Sequence, residues 1–363
     1  MTNESPHMST DSDGRIGGKM SKKINIVVTG VGGGGFGQQI MKTLRLSTLN
    51  CRVIATDVTK VSYGLSDADK HCIVPRADDK DYVSTILDIC RKEKAEFLIA
   101  GSEPELLRLV GSIDMMQESN VILLANSFDV VELCMDKYRL FKKLQRLVSH
   151  FPRFKLITDP QHDVEEIDYP AVVKPIKGSG GSNMVFLAMN RKELLFFSEY
   201  LTTYGYQPLI QEYVGTPEDE YTIGVLSSSE AEILGSIALR RYLNSAMSRR
   251  IAVTDKQGRK FVVSSGISQG EVREFASIRE QAEEIASALG SRGPLNIQGR
   301  TVDGIFYPFE INPRFSGTTP IRAMLGWNEP EILIRYCLYN EKPIPIHRFG
   351  TVLRDVSEKL IPE

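Results

Sequence analysis

The first third of the chain alternates short apolar runs with amphipathic segments, and this pattern constrains the fold more than any other feature. Each short apolar run bounded by turn residues predicts a buried strand. Strands that alternate with helices indicate an open parallel sheet, which we expect over residues 22–130. The predicted strands are 24–29, 52–57, 95–100 and 121–124, and the predicted helices between them are 36–46 and 81–94.

The chain changes character after a helical segment at 128–148, which carries Asp136 and Lys137 inside it or at a break. Short strands separated by turn signals then predict an α+β region with largely antiparallel pairing. The predicted strands are 171–175, 184–187, 209–214 and 220–226, the predicted helices are 191–204, 271–289 and 329–338, and a hairpin is predicted over 295–312.

Composition excludes several classes of protein. The 363 residues suffice for two or three domains, and a net charge of −2 with no basic stripe argues against a nucleic-acid partner. No apolar run approaches the roughly 18 residues of a membrane span. The five scattered cysteines form no C-x-x-C motif, which favours reduced thiols in a cytoplasmic protein.

The first 21 residues are polar and lack the apolar core of a secretory signal. We interpret them as a disordered leader or a remnant of an expression vector. The second methionine, Met20, lies directly before the first predicted strand and is consistent with that interpretation.

The segment 309–317 concentrates polar chemistry in a run that otherwise resembles a buried strand. Glu310 and Asn312 point the same way on a strand, because side chains alternate between its faces. Carboxylate and carbonyl oxygens suit Mg²⁺, which also shares its shell with substrate phosphates. Arg314 could clamp a phosphate or a carboxylate with its planar fork. A solvated strand end followed by a turn is the simpler alternative.

A glycine-rich turn follows the first predicted strand. Gly32, Gly34 and Gly37 form G-x-G-x-x-G before a helix, and Asp57 ends the second strand. This context matches a dinucleotide-binding fingerprint and supports an NAD(P)-dependent oxidoreductase. No set of hydride-transfer residues follows, and any tight strand-to-helix turn in a parallel sheet favours glycine.

A second glycine-rich loop, residues 177–182, lies between two predicted strands. It lacks the ending of a Walker A loop, but its backbone N–H groups could still cover phosphates. Lys174 ends the preceding apolar strand, and lysine is almost never fully buried without a partner. A nucleotide phosphate would supply one. Lys137, taken alone, fits a solvated helix face.

The strand at 209–214 mixes polar and apolar residues. An adenine at a strand edge is bound mainly by backbone groups, and Glu212 could accept a hydrogen bond from its amine or from the ribose. Glu220, which follows the next loop, is a second candidate for the ribose. A half-buried strand with a polar face is an equally good interpretation of both.

The order of these motifs resembles the ATP-grasp superfamily, and within it the group related to the carbamoyl-phosphate synthase large subunit. The resemblance covers residues 22–340 and is most specific at Gln298 and Glu310–Arg314. It implies a Rossmann-like, pre-ATP-grasp domain at 22–130 and a two-lobed ATP-grasp domain at 131–345, with a lid lobe at about 152–212 and a tail at 346–363. Within this family the glycine turn is expected to be structural or to face the substrate.

The resemblance also implies roles for residues at the matching motif positions, with ATP and Mg²⁺ (or Mn²⁺) as cofactors. Arg314 and Lys174 would be catalytic, and Gln298, Glu310 and Asn312 would hold the metal. The residues that would bind ATP are Lys137, Lys174, Lys177, Gly178, Ser179, Gly180, Gly181, Ser182, Gln211, Glu212, Tyr213, Val214 and Glu220.

The implied reaction is the activation of a carboxylate as an acyl phosphate, followed by coupling to an amine. Such chemistry depends on positioning and charge neutralisation, so the lack of a Ser/His/Asp set is expected. The chain has one grasp unit and no glutaminase part, which favours a stand-alone carboxylate–amine ligase, with a homodimer suggested by the family. A non-catalytic nucleotide-binding module is the third hypothesis. Substrate contacts are assigned to Arg240, Arg241, Arg249, Ser316 and Gly317.

The hairpin at 295–312 presents a problem of register. A plain two-residue turn at Asp303 and Gly304 would place Gln298 opposite Phe309 and away from Glu310. A metal site needs Gln298 and Glu310 on one face. We therefore predict a bulged turn around Asp303 and Gly304, with Gly304 at positive φ.

Overall fold

A computed structural model describes residues 22–32, 35–163, 167–178, 183–344 and 348–360. Its first body is a parallel sheet of five strands in the order β3-β2-β1-β4-β5. The strands are β1 Ile24–Val28, β2 Cys51–Asp57, β3 Lys70–Ile73, β4 Phe97–Ile99 and β5 Ile122–Leu123. The helices that accompany them are α1 Phe36–Arg45, α2 Tyr82–Glu93, α3 Glu103–Val110 and α4 Ile113–Glu118.

The four predicted strands of this sheet are present, but the prediction missed β3. That strand is at the sheet edge, where three of its four residues are exposed. It therefore lacks the apolar run by which buried strands such as β1 are found in a sequence. The parallel sheet itself is confirmed.

The glycines around the first turn allow backbone segments to approach closely. A Cβ placed on Gly37 would lie 2.4 Å from the carbonyl oxygen of Thr29, and one on Gly101 would lie 1.9 Å from the same oxygen. Gly30 has a positive φ of 56°. Gly34, the middle glycine of the motif, lies outside the described residues. Close packing of α1 against β1 thus requires glycine at position 37.

The second body has three sheets. A six-stranded core sheet has the order β16-β15-β10-β11-β14-β17, a four-stranded sheet has the order β6-β9-β7-β8, and β12 pairs with β13. The strands are β6 Phe154–Leu156, β7 Ala171–Pro175, β8 Phe186–Ala188, β9 Pro208–Glu212, β10 Glu220–Ser227, β11 Ile233–Arg241, β12 Arg249–Thr254, β13 Lys260–Ser264, β14 Gly270–Val272, β15 Pro294–Val302, β16 Ile305–Asn312 and β17 Gly350–Val352.

The helices of this body are α5 Phe128–Cys134, α6 Lys137–Leu147, α7 Pro160–Asp163, α8 Arg191–Thr203, α9 Ala276–Leu289, α10 Thr319–Met324 and α11 Glu329–Tyr339. The predicted helix at 271–289 began too early. Gly270–Val272 instead pairs with β11 and with β17, and α9 begins at Ala276. Pairing with two strands that are distant in sequence overrode the local helical pattern.

In the hairpin of β15 and β16, Gln298 and Glu310 lie on one face as predicted, but the structural cause differs from the prediction. Gln298 is directly opposite Glu310, and Gly304 has the predicted positive φ of 79°. The turn itself is regular, however, because Val302 pairs with Ile305. The predicted bulge at the turn is therefore wrong.

The register shifts inside the hairpin, where Gln298 pairs with Glu310 and Gly299 pairs with Pro308. Phe309 is the extra residue of this bulge. Proline has no N–H to donate to a ladder and is tolerated at bulges and edge strands, and β16 is the edge of its sheet. Pro308 is thus the sequence signal that locates the irregularity.

The two bodies share one apolar cluster. Ile40 and Leu44 of α1 belong to the same buried cluster as Leu239 of β11, Trp327, and Leu333 of α11. Burial on this scale fixes the parallel sheet against the core sheet. All five cysteines carry free thiols. Within the described ranges, no helix has the length and apolarity needed to cross a bilayer.

The glycine turn gives a test of this packing. We expect Gly37→Ala to lower the free energy of unfolding by about 1–3 kcal/mol, because the added methyl group would overlap the backbone of Thr29 and Gly30. Gly350→Ala is the matched control, since its Cβ would lie 3.5 Å from the nearest atom, on the Leu325 side chain, and should change stability by less than about 0.5 kcal/mol. Urea denaturation measures both variants. Equal stability of the two would contradict a structural role for Gly37.

Candidate functional site

Three cavities meet at Glu310, which lines all of them. The first lies between the end of β9 and the core sheet and is also lined by Lys137 and Lys174. The second contains Gln298 and Arg314. The third contains Lys137, Gly178 and Asn312. One carboxylate is therefore common to three adjoining spaces.

Lys174 is buried on β7, with its side chain directed toward the core sheet. Its ammonium donates to the side-chain oxygen of Gln211 at 2.7 Å and to the carbonyl of Phe309 at 3.0 Å, and it lies 5.0 Å from the Phe141 ring centroid. Burial, with Lys137 nearby, lowers the pKa of Lys174 to about 7, while Glu310 acts in the opposite direction. The protonated form of Lys174 is thus destabilised unless an anion is bound beside it.

The sequence allowed Lys137 either inside a helix or at a break in one, and in the structure it is the first residue of α6. Asp136 caps this helix by accepting from the backbone N–H groups of Tyr138 and Arg139, both at 3.1 Å. The ammonium of Lys177 lies 3.5 Å from the Asp136 carboxylate. A lysine at a helix N-terminus adds its charge to that of the helix dipole, which favours a bound anion.

Residues 211–214 form the wall of the first cavity at the end of β9. The Tyr213 hydroxyl accepts from the Val262 N–H at 2.8 Å and donates to the Val262 carbonyl at 3.1 Å, which fastens the segment to β13. The Glu212 carboxylate accepts from the Arg153 N–H at 3.0 Å. The ladder of β9 ends at Glu212, so the following backbone leaves the sheet beside the cavity.

Glu220 is fully buried between two arginines. One carboxylate oxygen accepts from Arg241 at 2.9 Å, and the other accepts from Arg300 at 2.9 and 3.1 Å. Glu220 lines the first cavity, as expected for a ribose contact, but both of its oxygens already bind guanidinium groups. Arg300 also stacks on Tyr213, 4.1 Å from the ring centroid, and donates to the Val214 carbonyl at 3.3 Å.

The three candidate metal ligands lie on one face of the β15–β16 hairpin. Gln298 is opposite Glu310, and Asn312 is two residues further along β16. The Asn312 amide nitrogen is 3.4 Å from a Glu310 carboxylate oxygen. One carboxylate and two carboxamides supply the hard oxygen ligands that Mg²⁺ prefers, so the residues fit a divalent cation completed by phosphate oxygens and water.

Arg314 is held by residues of the first body. Its guanidinium lies over the Phe36 ring at 3.5 Å from the centroid, and it is 3.3 Å from the carboxylate of Glu103. It also donates to the Phe315 carbonyl at 3.3 Å. The parallel sheet thus orients the arginine of the core sheet through α1 and α3.

The candidate substrate residues lie in three different places. Ser316 and Gly317 line the second cavity with Arg314. Arg240 and Arg241 line a fourth cavity, and Arg240 pairs with Glu271. Arg249 begins β12 and pairs in register with Ser264. The arginine-rich stretch therefore does not gather around Arg314. Ser179, Gly180, Gly181 and Ser182 of the second glycine loop lie outside the described residues.

Several residues of the site escaped sequence reasoning. Arg300 is opposite Glu220 across β15 and β10, while Phe36 and Glu103 come from the first body. Arg300 has a weak signal of its own, since arginine is almost never buried on a strand without a partner. Phe36 and Glu103 have no local signal, because their role depends on how the two bodies pack.

A model of the ATP-grasp domain family matches residues 134–318, more than half of the chain. The chain belongs to the ATP-grasp family. A second model, described as PylC-like, N-terminal domain, matches residues 26–124, which include the glycine-rich turn. The resemblance drawn from the motifs and the fold class it implied are both confirmed.

The chain is similar to carbamoyl phosphate synthase large chains. It is 26% identical over 293 residues to that of Vibrio cholerae serotype O1, a match covering 74% of this chain and 26% of the relative. It is 23% identical over 316 residues to that of Clostridium beijerinckii, covering 83% and 28%. The chain thus spans about a quarter of the length of the curated relatives it matches.

Solved structures show the same fold at low identity. An N5-carboxyaminoimidazole ribonucleotide synthetase in complex with ADP matches with a TM-score of 0.63 and 16% identity, over 91% of this chain and 79% of the other. An L-amino acid ligase from Bacillus licheniformis matches with a TM-score of 0.61 and 17% identity, over 89% and 75%.

The lowered pKa of Lys174 gives a test of its contact with nucleotide. In the free protein Lys174 loses its proton as pH rises through about 7, whereas a bound phosphate would favour the ammonium. We therefore expect binding of Mg·ADP at pH 8 to take up close to one proton and to weaken as pH rises further. Calorimetry in two buffers of different ionisation enthalpy measures the uptake.

Lys174→Met should abolish that proton uptake, and Lys143→Met, at an exposed position of α6, should keep it. The titration of the nucleotide itself is common to all three proteins and cancels in the comparison. Equal uptake by wild type and Lys174→Met would show that Lys174 does not meet the phosphates.

Proposed function

We propose that this protein is an ATP- and divalent-cation-dependent ligase that activates a carboxylate as an acyl phosphate and couples it to an amine. The observation that carries the proposal is the position of Glu310, which lines three adjoining cavities. Residues 211–214 form a wall of the first cavity, Arg314 lines the second, and Lys137 lines the third. The proposal is further supported by membership of the ATP-grasp family.

The proposed arrangement of ATP follows the cavities. Adenine would lie in the first cavity against the backbone of residues 211–214, and the phosphates would extend toward Lys137, Lys174 and Gly178. Glu220 would lie on the ribose side of the nucleotide, where it would hold Arg241 and Arg300 in position. Gln298, Glu310 and Asn312 would hold Mg²⁺. When bound, the cation would neutralise the phosphate oxygens and orient the transferred group.

The chain's own residues would then position two substrates. Arg314 would neutralise charge on the transferred phosphoryl group while the substrate carboxylate attacks the γ-phosphorus. The bond to the β-phosphate oxygen breaks, ADP leaves, and an acyl phosphate forms. The amine next attacks the acyl carbon and gives up a proton as inorganic phosphate departs.

The walls of the second cavity favour a polar acid. Among the described residues that line it, five carry hydroxyl groups, two carry carboxamides, and Phe36 supplies the one aromatic ring. Such walls hydrogen-bond hydroxyl or amino groups of a substrate and leave little apolar surface for a long aliphatic chain. We propose small-molecule carboxylate and amine substrates, a cytoplasmic location and a homodimer, as expected from the sequence.

The oxidoreductase alternative lacks support. The glycine turn on which it rested falls within the match to a PylC-like N-terminal domain. The close packing of Gly37 against Thr29 gives that glycine a structural reason to be present.

The decisive test is trapping of the acyl phosphate. Wild-type protein with Mg·ATP, hydroxylamine and a panel of hydroxy and amino acids should release ADP and form an acyl hydroxamate with at least one acid. Glu310→Gln should lower that rate by about a hundredfold or more while still binding nucleotide, because it removes the one charged metal ligand. Glu341→Gln, at an exposed carboxylate beside Arg335, is the matched control and should react normally.

Two outcomes would overturn the proposal. Nucleotide binding without release of ADP for any acid would favour the non-catalytic module. Binding of NAD(P)H in preference to Mg·ATP would favour the oxidoreductase.

A further inference from the structure

Arg241, at the end of β11, makes contacts that converge from three parts of the site. Its side chain is only 1% exposed. One terminal nitrogen donates to Glu220 at 2.9 Å, to the Ser264 hydroxyl at 2.9 Å and to the side-chain oxygen of Gln298 at 3.3 Å. The other donates to the carbonyls of Ser265 at 2.8 Å and Ile267 at 3.3 Å. A guanidinium buried in this way is fixed in one orientation.

The contact with Gln298 determines how that carboxamide faces the metal site. Arginine can only donate hydrogen bonds, so the oxygen of the amide must face Arg241 and the nitrogen must face away. A carbonyl oxygen has two lone pairs, and Arg241 engages one of them, which leaves the other for a cation. Without this donor the amide could rotate and present its N–H₂ group to the cation instead.

The contact with Glu220 connects the same guanidinium to the nucleotide side. Glu220 binds Arg300 with its other oxygen, and Arg300 in turn stacks on Tyr213 and donates to the Val214 carbonyl. The wall of the first cavity is therefore joined to Gln298 through two arginines and one carboxylate. The negative charge of Glu220 also keeps the positive charge of Arg241 compatible with a nearby cation.

The third set of contacts reaches the second cavity. Ser265 and Gly266 line that cavity, and Arg241 holds the Ser265 carbonyl. Arg241 thus fixes the segment 264–267, which separates the β12–β13 hairpin from the space around Arg314.

We propose that Arg241 is a positioning residue that couples nucleotide binding to metal binding by orienting Gln298 and Glu220 together. It contacts neither nucleotide nor cation, and it is not the substrate-binding arginine that the sequence suggested. This inference rests on the proposed function, because it requires a nucleotide and a cation in the two cavities.

The test measures the factor by which Mn²⁺ strengthens binding of the non-hydrolysable analogue AMP-PNP, by calorimetry with and without the metal. Residues that orient metal ligands typically change metal affinity by about 10–100-fold when replaced. We expect Arg241→Lys, which keeps the charge and loses the fork, to reduce the factor by at least about tenfold. Arg335→Lys, at an ion-paired arginine of α11 outside the cavities, should leave it unchanged.

A second variant keeps the test valid if Arg241→Lys does not fold. Glu220→Gln preserves the shape of its side chain but weakens its hold on Arg241, and it should reduce the same factor although Glu220 is not itself one of the proposed metal ligands. Where both variants fold, the double variant should be no worse than Arg241→Lys alone, because both act through one contact.

The outcomes separate the inference from the proposed function. Failure of the wild type to bind AMP-PNP, or to bind it more tightly with Mn²⁺, would overturn the proposed function. The role of Arg241 would be overturned if the wild type binds normally and Mn²⁺ strengthens AMP-PNP binding by Arg241→Lys to within twofold of its effect on the wild type. The same result for Glu220→Gln alone would also overturn it. Either result would leave the proposed function standing.

Discussion

The bulge at Phe309 is the constraint on which the site depends. It shifts the β15–β16 hairpin by one residue and so places Gln298, Glu310 and Asn312 on one face. It also turns the Phe309 carbonyl to Lys174, which binds it at 3.0 Å. Extra residues of a bulge leave the ladder and re-aim nearby groups. With regular pairing, Gln298 would face the apolar side of the hairpin, and Lys174 would lose one of the two hydrogen-bond acceptors that it has in the described part of the chain.

Buried positive charge is the second organising feature. Lys174, Arg241, Arg300 and Arg314 are all largely withdrawn from water. Removing an ion from water costs several kcal/mol, so each must be compensated by partners. Glu220 serves two of the arginines, whereas Lys174 has only neutral acceptors within hydrogen-bond distance among the described residues. A site with more fixed cations than paired anions is pre-organised for a polyanion such as a triphosphate.

The parallel sheet takes part in the site without supplying its ligands. The guanidinium of Arg314 lies between Phe36 and Glu103, which begin α1 and α3. Their positions depend on the apolar cluster shared by α1 and the core sheet. A loss of packing between the bodies would therefore change the position of Arg314. The glycine turn has a structural role of its own, because Gly37 lets α1 pack closely against β1.

The sequence by itself determined the alternation of strands and helices in the first body, the shared facing of Glu310 and Asn312, and the order of motifs that marks the family. These features are local, since each depends on residues within one strand, one turn or one helix. The tertiary structure alone decided the bulge at Phe309, the edge strand β3, the start of α9, the pairing of Glu220 with two arginines, and the inward direction of Arg241. Each of these depends on contacts between residues far apart in the chain, whose energies outweigh the local pattern, although Pro308 and Arg300 leave a weak local signal for the bulge and for the pairing of Glu220.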